Sequence, residues 1–117
     1  MTSDIEPPDP RSRLAELRAA TVRRAAGLVS SFDDIVDATR DVATDDEHDP
    51  EGHTIAWERQ QLAALIDEAG VTLADIDAAL GRLDEGRYGT CTVCGLDVAA
   101  ERLEALAATP TCLNCAR

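Results

Sequence analysis

The sequence predicts a mainly α protein: a long antiparallel helical hairpin, or coiled coil, followed by a small C-terminal four-cysteine zinc finger. Three observations carry that prediction. A heptad seam runs without a miss from Leu62 to Leu83. A segment of similar length with helical periodicity precedes it, across a short acidic break. All four cysteines fall in the last 27 residues as two Cys-x2-Cys pairs. Composition agrees, since 20 of the 117 residues are Ala and only Phe32, Trp57 and Tyr88 are aromatic, which suits narrow helix–helix seams and excludes a broad aromatic core.

Residues 1–10 hold three prolines and three acids and read as a disordered lead-in. Their composition is the opposite of a secretory signal, and no later stretch approaches the roughly 18 uninterrupted apolar residues of a membrane span. A cytoplasmic chain with no membrane contact is expected. From Arg11 to Arg40 there is no Pro and a single Gly. Leu14, Leu17, Thr21, Leu28, Ile35 and Val42 fall on one helical stripe, and Val22, Ala25, Val29, Phe32 and Val36 on its neighbour. Ser12 is placed to cap the start.

Residues 43–53 break the pattern with five acids, one Pro and one Gly, which makes a turn with an acidic tip at 44–53. The seam then resumes as Leu62, Ile66, Ala69, Leu73, Ile76, Leu80 and Leu83, alternating spacings of four and three. It keeps its phase across Gly70, so one helix from Thr54 to Asp84 is expected. Arms of about 30 residues, each ~45 Å long, would place the acidic turn at the far end of an antiparallel pair. The domains are therefore a lead-in at 1–10, a hairpin at 11–84 and a finger at 85–117. The seam is satisfied within one chain, so a monomer is expected.

Cys91-x2-Cys94 and Cys112-x2-Cys115 are separated by 17 residues, within the range of four-cysteine zinc sites. Each Cys-x2-Cys turn aims two thiolates at one ion, and two such knuckles complete a tetrahedron. Disulfides suit secreted chains, and a thioredoxin-like redox pair needs a βαβ pattern absent here. An iron–sulfur cluster is the remaining alternative. Four protein ligands leave no open position, so a single structural Zn2+ is expected, standing in for the core that some 30 residues cannot build. No nucleophile–base pair, phosphate loop or open metal site is visible, so no enzyme is expected.

Asp45, Asp46, Glu47, Asp49 and Glu51 form the densest charge run in the chain. A solvated turn is the plain reading. An EF-hand counted from Asp45 would need Gly and Glu where Pro50 and Ala56 stand. The functional reading is a carboxylate probe for a basic or Mg2+-bearing site on a partner. With 23 acids, 11 Arg and no Lys, the net charge of −12 favours basic partner surfaces over nucleic acid. Arg82, Arg87, Arg102 and Arg117 are too scattered for a phosphate-binding footprint, so no direct sequence-specific DNA binding is expected.

Gly86-Arg-Tyr-Gly-Thr-Cys91-Thr-Val-Cys94-Gly95, then Arg102-Leu-Glu-Ala105, then Cys112-Leu-Asn-Cys115, resemble the zinc-finger signature of the DksA/TraR family. The upstream hairpin with its acidic tip is similar to the same family. The resemblance implies a transcription regulator that binds RNA polymerase directly, its coiled coil entering the secondary channel and its tip approaching the catalytic Mg2+. Asp46-Glu-His-Asp49 supplies the Asp-x-x-Asp spacing that family members carry at the tip. In this chain Pro50-Glu51 follows where members typically have Arg-Ala. Members that act with guanosine tetraphosphate place Lys and Arg on the second helix, and Gln60 to Gly81 contains neither. The alternative function is a zinc-finger interaction or redox-responsive adaptor with the family fold but without polymerase regulation.

Overall fold

Asp9-Pro10 starts the first helix. Pro at the first helical position has a φ already suited to the helix, and its missing N–H would have had no intrahelical acceptor there. In this computed structural model, which describes residues 9–40 and 50–116, α1 runs from Pro10 to Arg40 and α2 from Pro50 to Asp84. The Arg13 amide donates to the Asp9 carbonyl at 3.0 Å. Ser12 therefore lies inside the first turn, its hydroxyl donating to the Asp9 carboxylate at 3.5 Å, and the helix is preceded by Asp9 rather than capped by Ser12 as the sequence suggests. α2 likewise begins four residues ahead of Thr54, again at a proline, and continues unbroken through Gly70 and Gly81. A third helix, α3, spans Ala100–Ala105. Between α2 and α3 an isolated antiparallel bridge joins Thr90 and Asp97.

The chain divides into two compact units, Met1–Ala20 with Leu73–Arg117 and Thr21–Thr72. In the first, two ion pairs set the helix register. Arg11 pairs with Asp84, and Arg18 with Asp77 at 2.7 Å. Seven residues forward on α1 correspond to seven backward on α2, so the helices run antiparallel with a heptad between the pairs. Leu14, one turn above Arg11, is fully buried against Ile76 and Ala79 of α2 and Ala107 beyond α3. Leu80, Leu83, Tyr88 and Ala108 pack around this cluster. The small core thus takes one residue from α1, several from α2 and three from the finger segment.

In the second unit the α1 residues shielded from solvent are Thr21, Ala25, Leu28, Phe32, Ile35, Val36 and Thr39. With Val36 set aside they alternate by four and three, a single heptad seam. Val22 and Val29, expected on an adjoining apolar stripe, are about two-fifths exposed, at 41% and 43%. The stripe containing Ala25 and Phe32 therefore merges with that of Leu28 and Ile35, leaving the two valines at its margin. On α2, the shielded residues of this unit are Ile55, Ala56, Leu62, Ala63, Ile66, Ala69 and Thr72. Thr39 and Thr72 return their hydroxyls to the Ile35 and Glu68 carbonyls, at 2.7 and 3.1 Å. No helix among the described residues is long and apolar enough to cross a membrane.

Candidate metal centre

α2 ends in a turn that the sequence encodes locally. The Gly86 amide donates to the Leu83 carbonyl and the Arg87 amide to Arg82, at 3.1 and 2.8 Å, with Gly86 in the left-handed region at φ 75°. This is the Schellman arrangement, in which a residue without Cβ reverses the chain at low cost. The chain then enters the first knuckle. Cys91 donates its amide to Leu96, and Gly95, at φ 78°, donates back to the Cys91 carbonyl at 3.0 Å. A side chain at position 95 would be strained in that conformation. The second knuckle closes with the amides of Cys115 and Ala116 on the Cys112 carbonyl, at 3.1 and 3.0 Å. Thr92 donates to Pro110 at 2.9 Å and holds the two knuckles side by side.

These turns bring the four sulfurs of Cys91, Cys94, Cys112 and Cys115 within 4.8 Å of one another. The Cys94 and Cys112 sulfurs are 3.8 Å apart. A tetrahedron with metal–sulfur bonds of ~2.3 Å has sulfur–sulfur edges of ~3.8 Å, so the cage has the size zinc requires. All four thiols are free, with no disulfide among them. The electrostatics point the same way. The backbone amides of Cys94 and Cys112 draw the Cys91 thiol down to about 6. The neighbouring sulfurs of Cys112 and Cys91, with burial, push Cys115 up to about 12. For Cys94, the Leu96 amide lowers the pKa, but burial and the Cys91 and Cys112 sulfurs outweigh it and raise the net value. The Cys91 thiolate forms readily while Cys94 and Cys115 resist ionisation, because packed sulfurs repel as anions unless a cation sits between them. The donor set is soft sulfur, which favours zinc over magnesium or calcium. The four cysteines are thus positioned to bind one Zn2+.

A row of side chains fixes this centre to the helices. Arg13 of α1 donates to the Leu103 carbonyl at 2.8 Å and also to that of Glu104. Tyr88 donates to Ala107 at 2.8 Å. The buried Arg82 reaches the Ala108 and Thr109 carbonyls at 3.4 and 3.5 Å. Arg102 donates to the Thr111 carbonyl at 2.9 Å and to the Thr109 hydroxyl at 3.3 Å. The carbonyls leaving α3 and entering the second knuckle are therefore met by arginine and tyrosine donors. Arg102 belongs to the Arg-Leu-Glu-Ala motif, but nothing in the sequence pattern marks Arg13 or Arg82.

Three of the four arginines weighed as a phosphate footprint are engaged within the protein, Arg82 and Arg102 as above and Arg87 on Glu85. Arg117 lies outside the described residues. Of the acidic tip, Asp45, Asp46, Glu47 and Asp49 also lie outside them, and Glu51 is described only as backbone in the first turn of α2.

Residues 86–117 match the model of the prokaryotic dksA/traR C4-type zinc finger. An uncharacterized protein of Aquifex aeolicus (strain VF5) is 42% identical over 45 residues, which cover 38% of this chain and 31% of that one. The matched segment thus spans about a third of that relative's length. Among solved structures, transcription factor DksA2 from Pseudomonas aeruginosa is similar with a TM-score of 0.73 over 90% of this chain and 75% of that one, at 23% identity. The C-terminal segment thus matches the dksA/traR C4-type zinc finger, and the chain shares the fold of transcription factor DksA2.

Proposed function

We propose that this protein is a DksA-like transcription regulator that binds RNA polymerase directly, inserting its acidic-tipped coiled coil into the secondary channel to modulate initiation. The observation that carries the reading is the joint occurrence of the DksA fold, the C4-type finger and an Asp46-x-x-Asp49 pair between the two long helices. The segment between the two long helices is the part offered to a channel. Five carboxylates in residues 45–51 give it a charge suited to a cation-lined site. Cys91, Cys94, Cys112 and Cys115 are the proposed ligands of the zinc, whose four thiolates fill the coordination sphere and leave it a folding role.

In this reading the carboxylates of Asp46 and Asp49 act at the tip, either on a magnesium ion or its waters or on basic side chains around it. Pro50 opens α2, so the residue that follows Asp49 has a structural task as the first helical position. The test is a binding titration of the zinc-loaded chain against its host RNA polymerase at two salt concentrations, with in vitro transcription alongside. Salt-sensitive binding competed by another secondary-channel factor is expected. Asp46→Asn with Asp49→Asn should spare binding and abolish the transcriptional effect. No binding at the lower salt would transfer the weight to the adaptor reading.

A further inference from the structure

The finger carries a cleft that borders the sulfur cage at Cys112. It has a volume of about 480 Å³ and lies between α3 and the second knuckle. Ala105, Leu106 and Leu113 form its apolar walls, with Leu106 51% and Leu113 75% exposed. A leucine left this open beside an apolar recess gains when an apolar side chain covers it. On the rim stand Asp97 and Glu101, which make neither an ion pair nor a side-chain hydrogen bond with any described residue. The cation that also lines the cleft, Arg102, is turned inward, donating to Thr111 and Thr109. Asn114 adds an amide able to both donate and accept.

From this arrangement we infer that the α3–second knuckle cleft is a docking site for a protein segment bearing an apolar anchor side chain flanked by Lys or Arg. Charge complementarity selects that occupant. The rim offers two unpaired carboxylates while its cation is already satisfied, so a neighbouring Lys or Arg gains partners and an acidic residue meets repulsion. The apolar floor supplies the pocket for the anchor, and the amide supplies contacts for extended backbone. The chain's own lead-in carries Asp4, Glu6 and Asp9 with no cation, the wrong sign for this rim. A second copy would bring another surface with the chain's excess of acid, at a net charge of −12. The site shares no residue with the acidic tip and does not rest on polymerase binding.

The test uses the full zinc-loaded chain as bait for phage-displayed random peptides, with representatives then synthesised and titrated by fluorescence anisotropy. Enriched peptides should pair an aromatic or aliphatic residue with adjacent Lys or Arg. Leu113→Asp should weaken binding about tenfold or more, and Asp97→Asn with Glu101→Gln should weaken it and flatten its salt dependence. Val93→Asp, on the exposed first knuckle and outside the cleft, should leave the affinity unchanged. One zinc per chain and an unchanged far-UV spectrum verify that the variants fold; if Leu113→Asp fails that check, Leu113→Gln replaces it. The inference is overturned if no peptide is enriched over the Leu113→Asp bait, if the enriched peptides are acidic, or if Val93→Asp is as damaging as Leu113→Asp. It is equally overturned if deleting residues 2–9 tightens peptide binding, or if light scattering shows a dimer that Leu113→Asp dissociates, since the occupant is then the chain itself.

Discussion

Tyr88 and Ala107 are linked by a 2.8 Å hydrogen bond from the phenol to the backbone carbonyl, across the small core that Ala107 helps to close. Tyr88 follows the Schellman turn at the end of α2, and Ala107 follows α3. The bond therefore ties the exit of the second long helix to the entry of the second knuckle. Tyr88→Phe keeps the ring in the cluster and leaves the Ala107 carbonyl without this donor. A loss of about 0.5–1.5 kcal/mol is expected, the usual net worth of such a bond. Urea unfolding of the zinc-loaded protein measures it, and an unchanged midpoint would show that water replaces the phenol.

Leu14 is the one large side chain that α1 buries completely, in contact with residues of α2 and of the finger segment. Leu14→Ala opens a cavity among Ile76, Ala79 and Ala107, none of which can extend to fill it. The expected cost is about 2–5 kcal/mol, from lost transfer energy plus residual cavity. Leu113→Ala, at a site 75% exposed, should change stability by no more than about 0.5 kcal/mol. Thermal melts of both variants beside the parent check the contrast, and similar shifts would mean that the core lies elsewhere.

Acid should weaken the α1–α2 register through Arg18 and Asp77. The Arg18 guanidinium, hydrogen-bonded to Asp77, holds that carboxyl below its ordinary value of 3.8. A carboxyl with a lowered folded pKa contributes stability fully above its unfolded value, and the contribution is lost as pH falls through the folded value. Asp77→Asn should thus lower the melting temperature near neutrality, with the gap to the parent closing below about pH 4. The effect is small, because the two side chains are 45% and 52% exposed and salt screens them. A gap that persists in strong acid would assign the loss to packing.

The heptad of α2 was legible because its apolar residues recur without interruption from Leu62 to Leu83, and packing obeys that period. The cysteine cage was legible because chemistry limits what two Cys-x2-Cys pairs can hold. The α1 seam was harder to read, since Val22 and Val29 are as apolar as Leu28, and only the partner helix decides which side is covered. Helix starts are harder to place, because Pro usually breaks a helix, whereas Pro10 and Pro50 occupy the first helical position. The contacts of Arg13 and Arg82 had no signature at all. They depend on where the 103–109 carbonyls arrive in space, 26 to 91 residues away in sequence.

Zinc removal should therefore affect more than the finger. The segment from 103 to 111 receives its order from two sources, the Cys112–Cys115 knuckle at one end and the donors Arg13, Tyr88, Arg82 and Arg102 along its length. Without the metal, sulfurs this close cannot all ionise, and the raised Cys115 thiol takes up a proton. Zinc binding accordingly releases protons, and affinity falls as pH drops, because acid competes for the same thiolates. A structural tetrathiolate site supplies about 10–16 kcal/mol of binding free energy, far more than a finger with so few apolar residues can replace. When the knuckle opens, Ala107 and Ala108 leave the core, Leu14 loses one wall, and Arg82 is left with its buried guanidinium unmatched. Chelation should then unfold α3 and loosen the first turns of α1 against the last turns of α2. Hydrogen exchange before and after chelation separates the outcomes. Loss of protection in 86–116 together with 10–20 and 73–84 is expected, and loss restricted to 86–116 would show that the arginine contacts do not couple the metal to the helices.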